Sequence, residues 1–256
     1  MTSVLPADLP VIIAGDPTAR TALVLHGGGG PQTVAPVVGH LAATTHVLAP
    51  THPGWDGTAR PESIASVADL AHAYLEQLVD DGQHDVIVVG SSIGGWIALE
   101  MAVQAASDER YAGRVGAVVV LDSVGVVVDG EPIADFFALD ARGLAEVAWH
   151  DPERGFMDPA RFTDEQRSMQ QANGRTMAAV AGASMSDPTL LDRLGVVDVP
   201  TLAVWGASDR VVTPAYGRAV AAAVPGAEFV EIPAAGHLPH LEAPEATWAA
   251  IDSFLG

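Results

Sequence analysis

The stretch VVGSSIGGW at residues 88–96 carries the side chain best suited to nucleophilic chemistry. It follows an apolar run and precedes a helix-like segment, so it predicts a sharp turn from a strand into a helix. In such a turn, the residues two before and two after the nucleophile come close together and must be very small. Ser92 has Gly90 and Gly94 at those places, whereas valine and isoleucine flank Ser91. We therefore predict that Ser92 is the nucleophile.

A serine hydroxyl needs a base, usually a histidine that a carboxylate orients. Among the nine histidines, His237 follows the last predicted strand, in IPAAGHLPHLEAPE, at the sheet edge where Ser92 is also expected. His240 is the alternative, but the context LPHLE is typical of the first turn of a packed segment. His52, in THPGWDG, follows a strand at the same edge, and it either touches the pocket or stabilises a turn. We predict that His237 is the base.

The carboxylate is expected at the carboxyl end of another strand. Asp209 directly follows TLAVWGAS, and Asp122, which ends VVVLD, is the alternative. The chain order Ser92, Asp209, His237 matches the Ser…Asp…His order of one hydrolase architecture. We therefore favour Asp209, and otherwise expect Asp122 to be a strand-terminal residue that hydrogen-bonds the start of the following segment.

Acyl transfer also needs donors for the negatively charged oxygen that develops on the carbonyl. The stretch LVLHGGGGP at 23–31 places a glycine-rich loop directly after a predicted strand, where the backbone can approach a ligand closely. We predict that the N–H groups of Ile93 and Gly28 are these donors, with Gly29 as a further candidate. A phosphate-binding loop is excluded because no Gly-Lys-Ser/Thr follows the glycines.

Composition restricts the possible partners. The chain has 256 residues, with 32 acidic against 12 basic side chains and a net charge of −20. Such a charge repels phosphate backbones and anionic membranes, so we expect a small-molecule substrate rather than nucleic acid or a membrane. There is no cysteine, no secretory signal and no long apolar run, and we expect a cytoplasmic protein. We expect neither a metal nor a cofactor, and the oligomeric state stays open.

Short apolar runs alternate with segments of helical periodicity, a pattern typical of a parallel sheet with crossover helices. The predicted strands are 11–14, 21–26, 46–50, 85–90, 116–122, 201–205 and 228–232. The predicted helices are 63–79, 95–106, 214–224 and 244–255. The fold class is therefore α/β, with a mostly parallel central sheet flanked by helices.

This alternation stops over residues 126–198, which we predict to be a helical lid inserted in a core domain formed by 1–125 and 199–256. Helix-like patches occur at 164–171 and 177–183. The segment holds four of the six methionines and four of the six phenylalanines: Met157, Met169, Met177, Met185, Phe136, Phe137, Phe156 and Phe162. We expect most of them to seal the lid against the core and the rest to line an adaptable apolar pocket.

Five motifs occur in a characteristic order: LHGGGG, PTHPGWDG, GSSIGG, WGASDRVV and AGHLPHLEAPE. Together they resemble the α/β-hydrolase superfamily, above all its small, lidded bacterial esterases, C–C bond hydrolases and cofactor-free perhydrolases. The resemblance implies Ser92 as nucleophile, Asp209 as acid, His237 as base, and Gly28 and Ile93 as oxyanion donors. A serine nucleophile argues against epoxide hydrolases and haloalkane dehalogenases, and the four glycines make the perhydrolase branch less favoured.

The resulting hypothesis is a serine hydrolase that cleaves a carboxylic ester of a small, partly apolar molecule. A C–C bond hydrolase or a lactonase with the same three residues is the alternative among enzymes. A ligand receptor or a non-hydrolytic biosynthetic protein on the same fold is the alternative from another class. The complete set of three residues favours an enzyme.

Overall fold

The computed structural model describes residues 5–256, which form a central sheet of seven strands. The strands are β1 (Val11–Ala14), β2 (Thr21–Leu25), β3 (His46–Pro50), β4 (Val86–Ser91), β5 (Val115–Leu121), β6 (Thr201–Gly206) and β7 (Glu228–Ile232). Their order in space is β1-β3-β2-β4-β5-β6-β7. All neighbouring pairs are parallel except β1 and β3, which are antiparallel. This sheet confirms the predicted fold class.

Helices cover both faces of the sheet. The α-helices of residues 5–256 are α1 (Ala35–Leu41), α2 (Val67–Asp80), α3 (Ile93–Ser107), α4 (Ala141–Ala148), α5 (Pro152–Gly155), α6 (Asp164–Ala181), α7 (Leu190–Arg193), α8 (Pro214–Ala223), α9 (Pro239–Glu242) and α10 (Pro244–Leu255). The apolar side chains of α2, α3 and α8 form one core with one face of the sheet, and those of α1 and α10 form a second core with the other. Within residues 5–256, no helix has the length and apolar character needed to cross a bilayer.

The parallel strands end at a common edge, and three loops at this edge position the candidate site. Ser92 follows β4, Asp209 lies three residues after β6, and His237 lies five residues after β7. Because β4 and β6 both pair with β5, and β7 pairs with β6, these loops are neighbours in space. Ligands of open α/β sheets bind outside the carboxyl ends of the strands.

Element boundaries differ from the predictions by a few residues, for local reasons. The predicted helix 63–79 begins at Val67 because the Ser66 hydroxyl accepts a hydrogen bond from the Asp69 N–H and caps the helix. The predicted helix 95–106 begins two residues earlier, directly after the turn at Ser92. The patches 164–171 and 177–183 belong to one continuous helix, α6, which begins with a capping box at Thr163.

Residues 126–198 lie between β5 and β6 and contain α4, α5, α6 and α7. Met177 and Met185 are buried there, as a sealing role requires. Three of the other apolar side chains are not, because Met157, Phe137 and Phe156 are 58%, 39% and 37% exposed. These three side chains therefore do not seal the segment against the core, whereas Phe136, Phe162 and Met169 are half-buried.

Candidate active site

Ser92 lies in a strained turn between β4 and α3. Its backbone angles are φ 56° and ψ −118°, a combination that L-residues rarely adopt. The turn leaves no space for side chains two residues away: a Cβ at Gly90 would lie 2.1 Å from the Gly94 carbonyl oxygen, and one at Gly94 would lie 2.2 Å from that of Leu25. The prediction that only small residues fit around Ser92 therefore has a direct geometric cause. Its side chain is half-buried at the sheet edge.

The side chains of Ser92, His237 and Asp209 form one hydrogen-bonded chain. His237 Nδ1 lies 2.8 Å from Asp209 Oδ2, and its Nε2 lies 2.9 Å from Ser92 Oγ. Because a carboxylate only accepts, the ring carries its proton on Nδ1 and leaves Nε2 free to accept the serine proton. His237 and Asp209 are 6% and 3% exposed. The structure thus brings together the three residues that the sequence selected.

Asp209 is held by its own loop. Its Oδ1 accepts hydrogen bonds from the N–H groups of Val211 and Val212, at 2.7 and 3.2 Å. Asp122, the alternative acid, makes no hydrogen bond to His237. Its Oδ1 accepts the Gly206 N–H at 2.8 Å, so the expectation that it bonds the start of the 126–198 segment is wrong. It joins the ends of β5 and β6 instead.

The glycine-rich loop lies against the nucleophile, since a Cβ at Gly27 would come within 3.3 Å of the Ser92 Cβ. The Gly27 carbonyl accepts hydrogen bonds from His26 Nδ1 at 2.7 Å and from the Gly30 N–H at 3.1 Å. In a trans peptide the carbonyl and the following N–H point in opposite directions. These two bonds therefore fix the direction of the Gly28 N–H. Within residues 5–256, neither this N–H nor that of Ile93 has a hydrogen-bond acceptor.

A buried network that the sequence did not reveal supports this loop. His26 Nε2 accepts the His52 N–H at 2.9 Å, His52 Nε2 donates to the His26 carbonyl at 3.0 Å, and His52 Nδ1 accepts from the Tyr74 hydroxyl at 2.6 Å. Trp55 Nε1 donates to the Gly28 carbonyl at 3.0 Å. Burial lowers the pKa of His26 to about 4 and that of His52 well below its usual range. Both rings are therefore neutral at pH 7, with one fixed tautomer each.

Helix α6 contacts the glycine-rich loop and the loop after β3. The Met177 sulfur covers Gly28 so closely that a Cβ there would lie 2.3 Å from it. Asn173 exchanges two hydrogen bonds with Asp56, at 2.8 and 2.9 Å, and the Thr176 hydroxyl donates to the Gly54 carbonyl. Because positions 173, 176 and 177 share one helical face, these contacts form a single stripe.

The carboxyl end of α4 contacts the other two loops of the site. The Ala148 carbonyl accepts the His237 N–H at 2.7 Å, and the Val147 carbonyl accepts the Arg210 N–H at 3.0 Å. His150 Nδ1 lies 2.7 Å from Ser208 Oγ. The 126–198 segment therefore touches the loops that carry the acid and the base as well as the glycine-rich loop.

His240 lies in α9, as its packed context predicted, with Nε2 2.9 Å from the Thr33 carbonyl. Among the described residues, Asp122, Asp209 and His237 form the one group whose ligand atoms are close enough to hold a metal ion, within 4.8 Å of one another. Asp209 and His237 already share a direct hydrogen bond, which an ion between them would have to break. The arrangement suits proton transfer better than metal binding.

Comparison with known proteins agrees with this geometry. The alpha/beta hydrolase family profile matches residues 22–250. The pimeloyl-[acyl-carrier protein] methyl ester esterase of Aromatoleum aromaticum is 27% identical over 247 residues, which cover 87% of this chain and 93% of the esterase. The 2-hydroxy-6-oxo-6-phenylhexa-2,4-dienoate hydrolase of Burkholderia cepacia is 26% identical, over 92% of this chain and 85% of that enzyme.

Solved structures show the same fold. A thermophilic esterase from Thermogutta terrifontis superposes with a TM-score of 0.72 at 20% identity, and the match covers 99% of this chain and 96% of the esterase. The order of the strands, the turn at Ser92 and the family profile, which spans nearly the whole sequence, lead to one conclusion. The chain belongs to the alpha/beta hydrolase family.

Proposed function

We propose that the protein is a serine hydrolase that cleaves a carboxylic ester of a small, partly apolar molecule through an acyl-enzyme. The observation that carries this proposal is the continuous chain of hydrogen bonds from Ser92 Oγ through His237 to Asp209, at 2.9 and 2.8 Å. A nucleophile within hydrogen-bond reach of a base, itself oriented by a third group, is the arrangement that nucleophilic catalysis requires. Two relatives, at 26–27% identity, are named as a methyl ester esterase and a hydrolase.

In the proposed reaction His237 Nε2 takes the proton of Ser92 as Oγ attacks the ester carbonyl. The carbonyl oxygen becomes negative, and the N–H groups of Gly28 and Ile93 stabilise it. His237 then gives its proton to the departing alkoxide, which leaves as the alcohol, while the acyl group stays bonded to Ser92 Oγ as an ester. A water that His237 deprotonates releases the acid. Asp209 holds the imidazole tautomer and stabilises the imidazolium that forms in each half-reaction.

Two features support the oxyanion site. The Gly28 and Ile93 N–H groups have no acceptor among the described residues, and the Gly27 carbonyl is held on the opposite side by His26. A donor that is already aimed needs no reorganisation in the transition state, and removing one such donor costs about 10²–10³-fold in kcat in a serine protease.

The surroundings of Ser92 favour a small, uncharged acyl or alcohol group. Ser92 is only half-buried, but the thioether of Met177 covers the adjacent Gly28 and presents an apolar surface there. The net charge of −20 disfavours strongly anionic substrates at long range.

We further propose that residues 126–198 act as a lid on a core formed by 1–125 and 199–256. Support comes from the contact of Met177 in α6 with Gly28 of the glycine-rich loop and from the hydrogen bonds of α4 with the loops of Asp209 and His237. A segment that touches three catalytic loops is in a position to limit which substrates reach Ser92.

The test combines covalent labelling with a substrate panel. A fluorophosphonate probe is expected to label the protein, and Ser92→Ala is expected to remove the label. Labelling that persists in Ser92→Ala would contradict the assignment of the nucleophile. A panel of short aryl esters, lactones and vinylogous diketones then separates the ester hydrolase from a lactonase and a C–C bond hydrolase. Labelling of Ser92 without turnover of any substrate would favour a receptor on this fold.

A further inference from the structure

Asp122 is a buried carboxyl group that the proposed mechanism does not use. Its side chain is completely buried, and its backbone adopts the left-handed region with φ 47°. Its Oδ1 accepts the Gly206 N–H, but its Oδ2 accepts a hydrogen bond from no described residue. A buried carboxylate oxygen without a donor is costly, so Oδ2 requires an explanation.

The neighbours of Asp122 supply negative charge rather than positive charge. A carboxylate oxygen of Asp209 lies within 4.8 Å of one of Asp122, and Glu242 of α9 adds a further unfavourable charge. Within residues 5–256, His237 is the one ion-pair partner of this acid pair, and it pairs with Asp209. Because His237 can carry at most one positive charge, two ionised carboxylates here would leave at least one buried negative charge without a cation. Like charges at this separation cannot both ionise readily.

The hydrogen bonds decide which group keeps the proton. Asp209 accepts three N–H bonds, from Val211, Val212 and the His237 ring. Asp122 accepts one. Bonds that N–H groups donate stabilise the ionised form, so the charge belongs on Asp209. Burial, together with the charge of Asp209, raises the pKa of Asp122 well above its usual range, in agreement with this assignment.

We propose that Asp122 is a neutral carboxylic acid whose Oδ2–H donates a hydrogen bond to the Asp209 carboxylate. It acts as a positioning residue: it touches neither substrate nor Ser92, and it holds Asp209 so that Oδ2 of that residue stays directed at His237 Nδ1. The inference rests on the proposed function, because in that function Asp209 orients the catalytic base His237. Because Asp122 keeps its proton, Asp209 carries the one negative charge of this acid pair.

The direct test is infrared spectroscopy of the resting protein at neutral pH. A protonated carboxyl group has a carbonyl stretching band that is well separated from the stretching bands of ionised carboxylates. We expect this band in the wild type and in Ser92→Ala, and its loss in Asp122→Asn. Absence of the band from the wild type, or its persistence in Asp122→Asn, would overturn the proposal.

The kinetic test uses two variants of the same residue. In Asp122→Asn the amide oxygen can accept the Gly206 N–H while the amide nitrogen donates to Asp209, without a change in charge. We expect kcat within about threefold of the wild type and an unshifted acidic limb of the pH–rate profile. Asp122→Ala removes the donor, and we expect kcat to fall about tenfold to a hundredfold with KM little changed, the effect of one hydrogen bond to a charged group.

Each outcome separates this inference from the proposed function. A large loss of kcat in Asp122→Asn, or a shift of its acidic limb, would mean that the charge of an ionised Asp122 serves His237, and would overturn the neutral acid. If Asp122→Ala does not fold, the infrared band and the Asp122→Asn kinetics still decide. A wild type that shows the band but is neither labelled at Ser92 nor active would overturn the proposed function instead.

Discussion

The sheet edge and the 126–198 segment differ in how they use apolar side chains. At the edge of the sheet, the loops after β4 and β6 are backed by strands that are buried along their whole length, and His237 and Asp209 are almost fully enclosed. The segment leaves Met157, Phe137 and Phe156 in solvent and lines a cleft of about 410 Å3 entirely with its own residues. The chemistry is therefore supported by a closely packed framework, and the region above it is packed much less closely.

This difference shows where each region can tolerate change. Strained or buried groups such as Ser92 and Asp209 need surroundings that hold them from all sides. The segment instead meets the loops around the site at a few separate points. Asn173 and Thr176 bond the loop after β3, Met177 covers Gly28, and the end of α4 together with His150 bonds the loops of Asp209 and His237. Substitutions in the framework should mainly change kcat, and substitutions in the segment should mainly change selectivity and stability.

The largest effect is expected in the framework. Asp209→Asn should lower kcat by about 10⁴-fold, because an amide in place of the carboxylate stabilises the wrong imidazole tautomer. Steady-state hydrolysis of a short aryl ester measures the loss, and circular dichroism checks that the fold is kept. Equal rates in Asp209→Asn and the wild type would show that the Asp209 carboxylate does not orient His237.

Acidification should destabilise the framework through its buried histidines. Burial lowers the pKa of both His26 and His240 to about 4, against about 6.5 in an unfolded chain. Between these pH values the unfolded chain binds more protons than the folded protein. The contribution of these histidines to the free energy of unfolding is therefore fully present above about pH 6.5 and is lost as the pH falls towards 4. Each residue contributes up to about 3 kcal/mol to this loss.

Urea denaturation at several pH values between 7.5 and 4.5 measures this dependence. The slope of the unfolding free energy against pH gives the number of protons that the chain takes up on unfolding, and this number should be lower by about one in His240→Gln. An unchanged slope in His240→Gln would show that this ring binds its proton as readily in the folded protein as in the unfolded chain.

The contact between framework and segment at Gly28 should respond to a double-mutant cycle. Gly28→Ala places a methyl group 2.3 Å from the present position of the Met177 sulfur. Either the methionine side chain or the glycine-rich loop must then move, and we expect kcat to fall by about tenfold to a hundredfold. Removing the obstacle in Gly28→Ala/Met177→Ala should restore most of the activity. If the double variant is no better than Gly28→Ala, the clash is not the cause of the loss.

The smallest effect is expected where α6 meets the loop after β3. Asn173→Ala removes both hydrogen bonds to Asp56 and should lower the free energy of unfolding by about 1–3 kcal/mol. Gln171→Ala, at an exposed position of the same helix, should change it by less than about 0.5 kcal/mol. Thermal and urea denaturation of the three proteins measure the difference, and equal stability of both variants would contradict a docking role for Asn173.

Local and periodic features of the sequence predicted the fold and the three residues at its edge. Ser92 was recognisable from the glycines two residues away on either side, and the positions of Asp209 and His237 followed from the ends of predicted strands. These signals work because a strand-to-helix turn and a parallel sheet restrict neighbouring residues in the chain. The assignment of catalytic roles to them remains a prediction for the experiments above.

Contacts between distant parts of the chain were not predictable in this way. The predicted strand 21–26 ends at His26, and the place of His26 directly before the glycines could have indicated a role in holding that loop. Its bond to His52 depends on two side chains that meet only after the sheet forms. The pairing of Asn173 with Asp56 spans 117 residues, and no local pattern of helix α6 records it.

The hydrogen bond from the His237 N–H to the Ala148 carbonyl has a consequence for substrate choice. It makes the end of α4 part of the scaffold that carries the base. A substrate large enough to push α4 outward would break this hydrogen bond while His237 has to accept the serine proton. Bulky esters should therefore be poor substrates even when they reach Ser92, because their entry loosens the group that has to act on them.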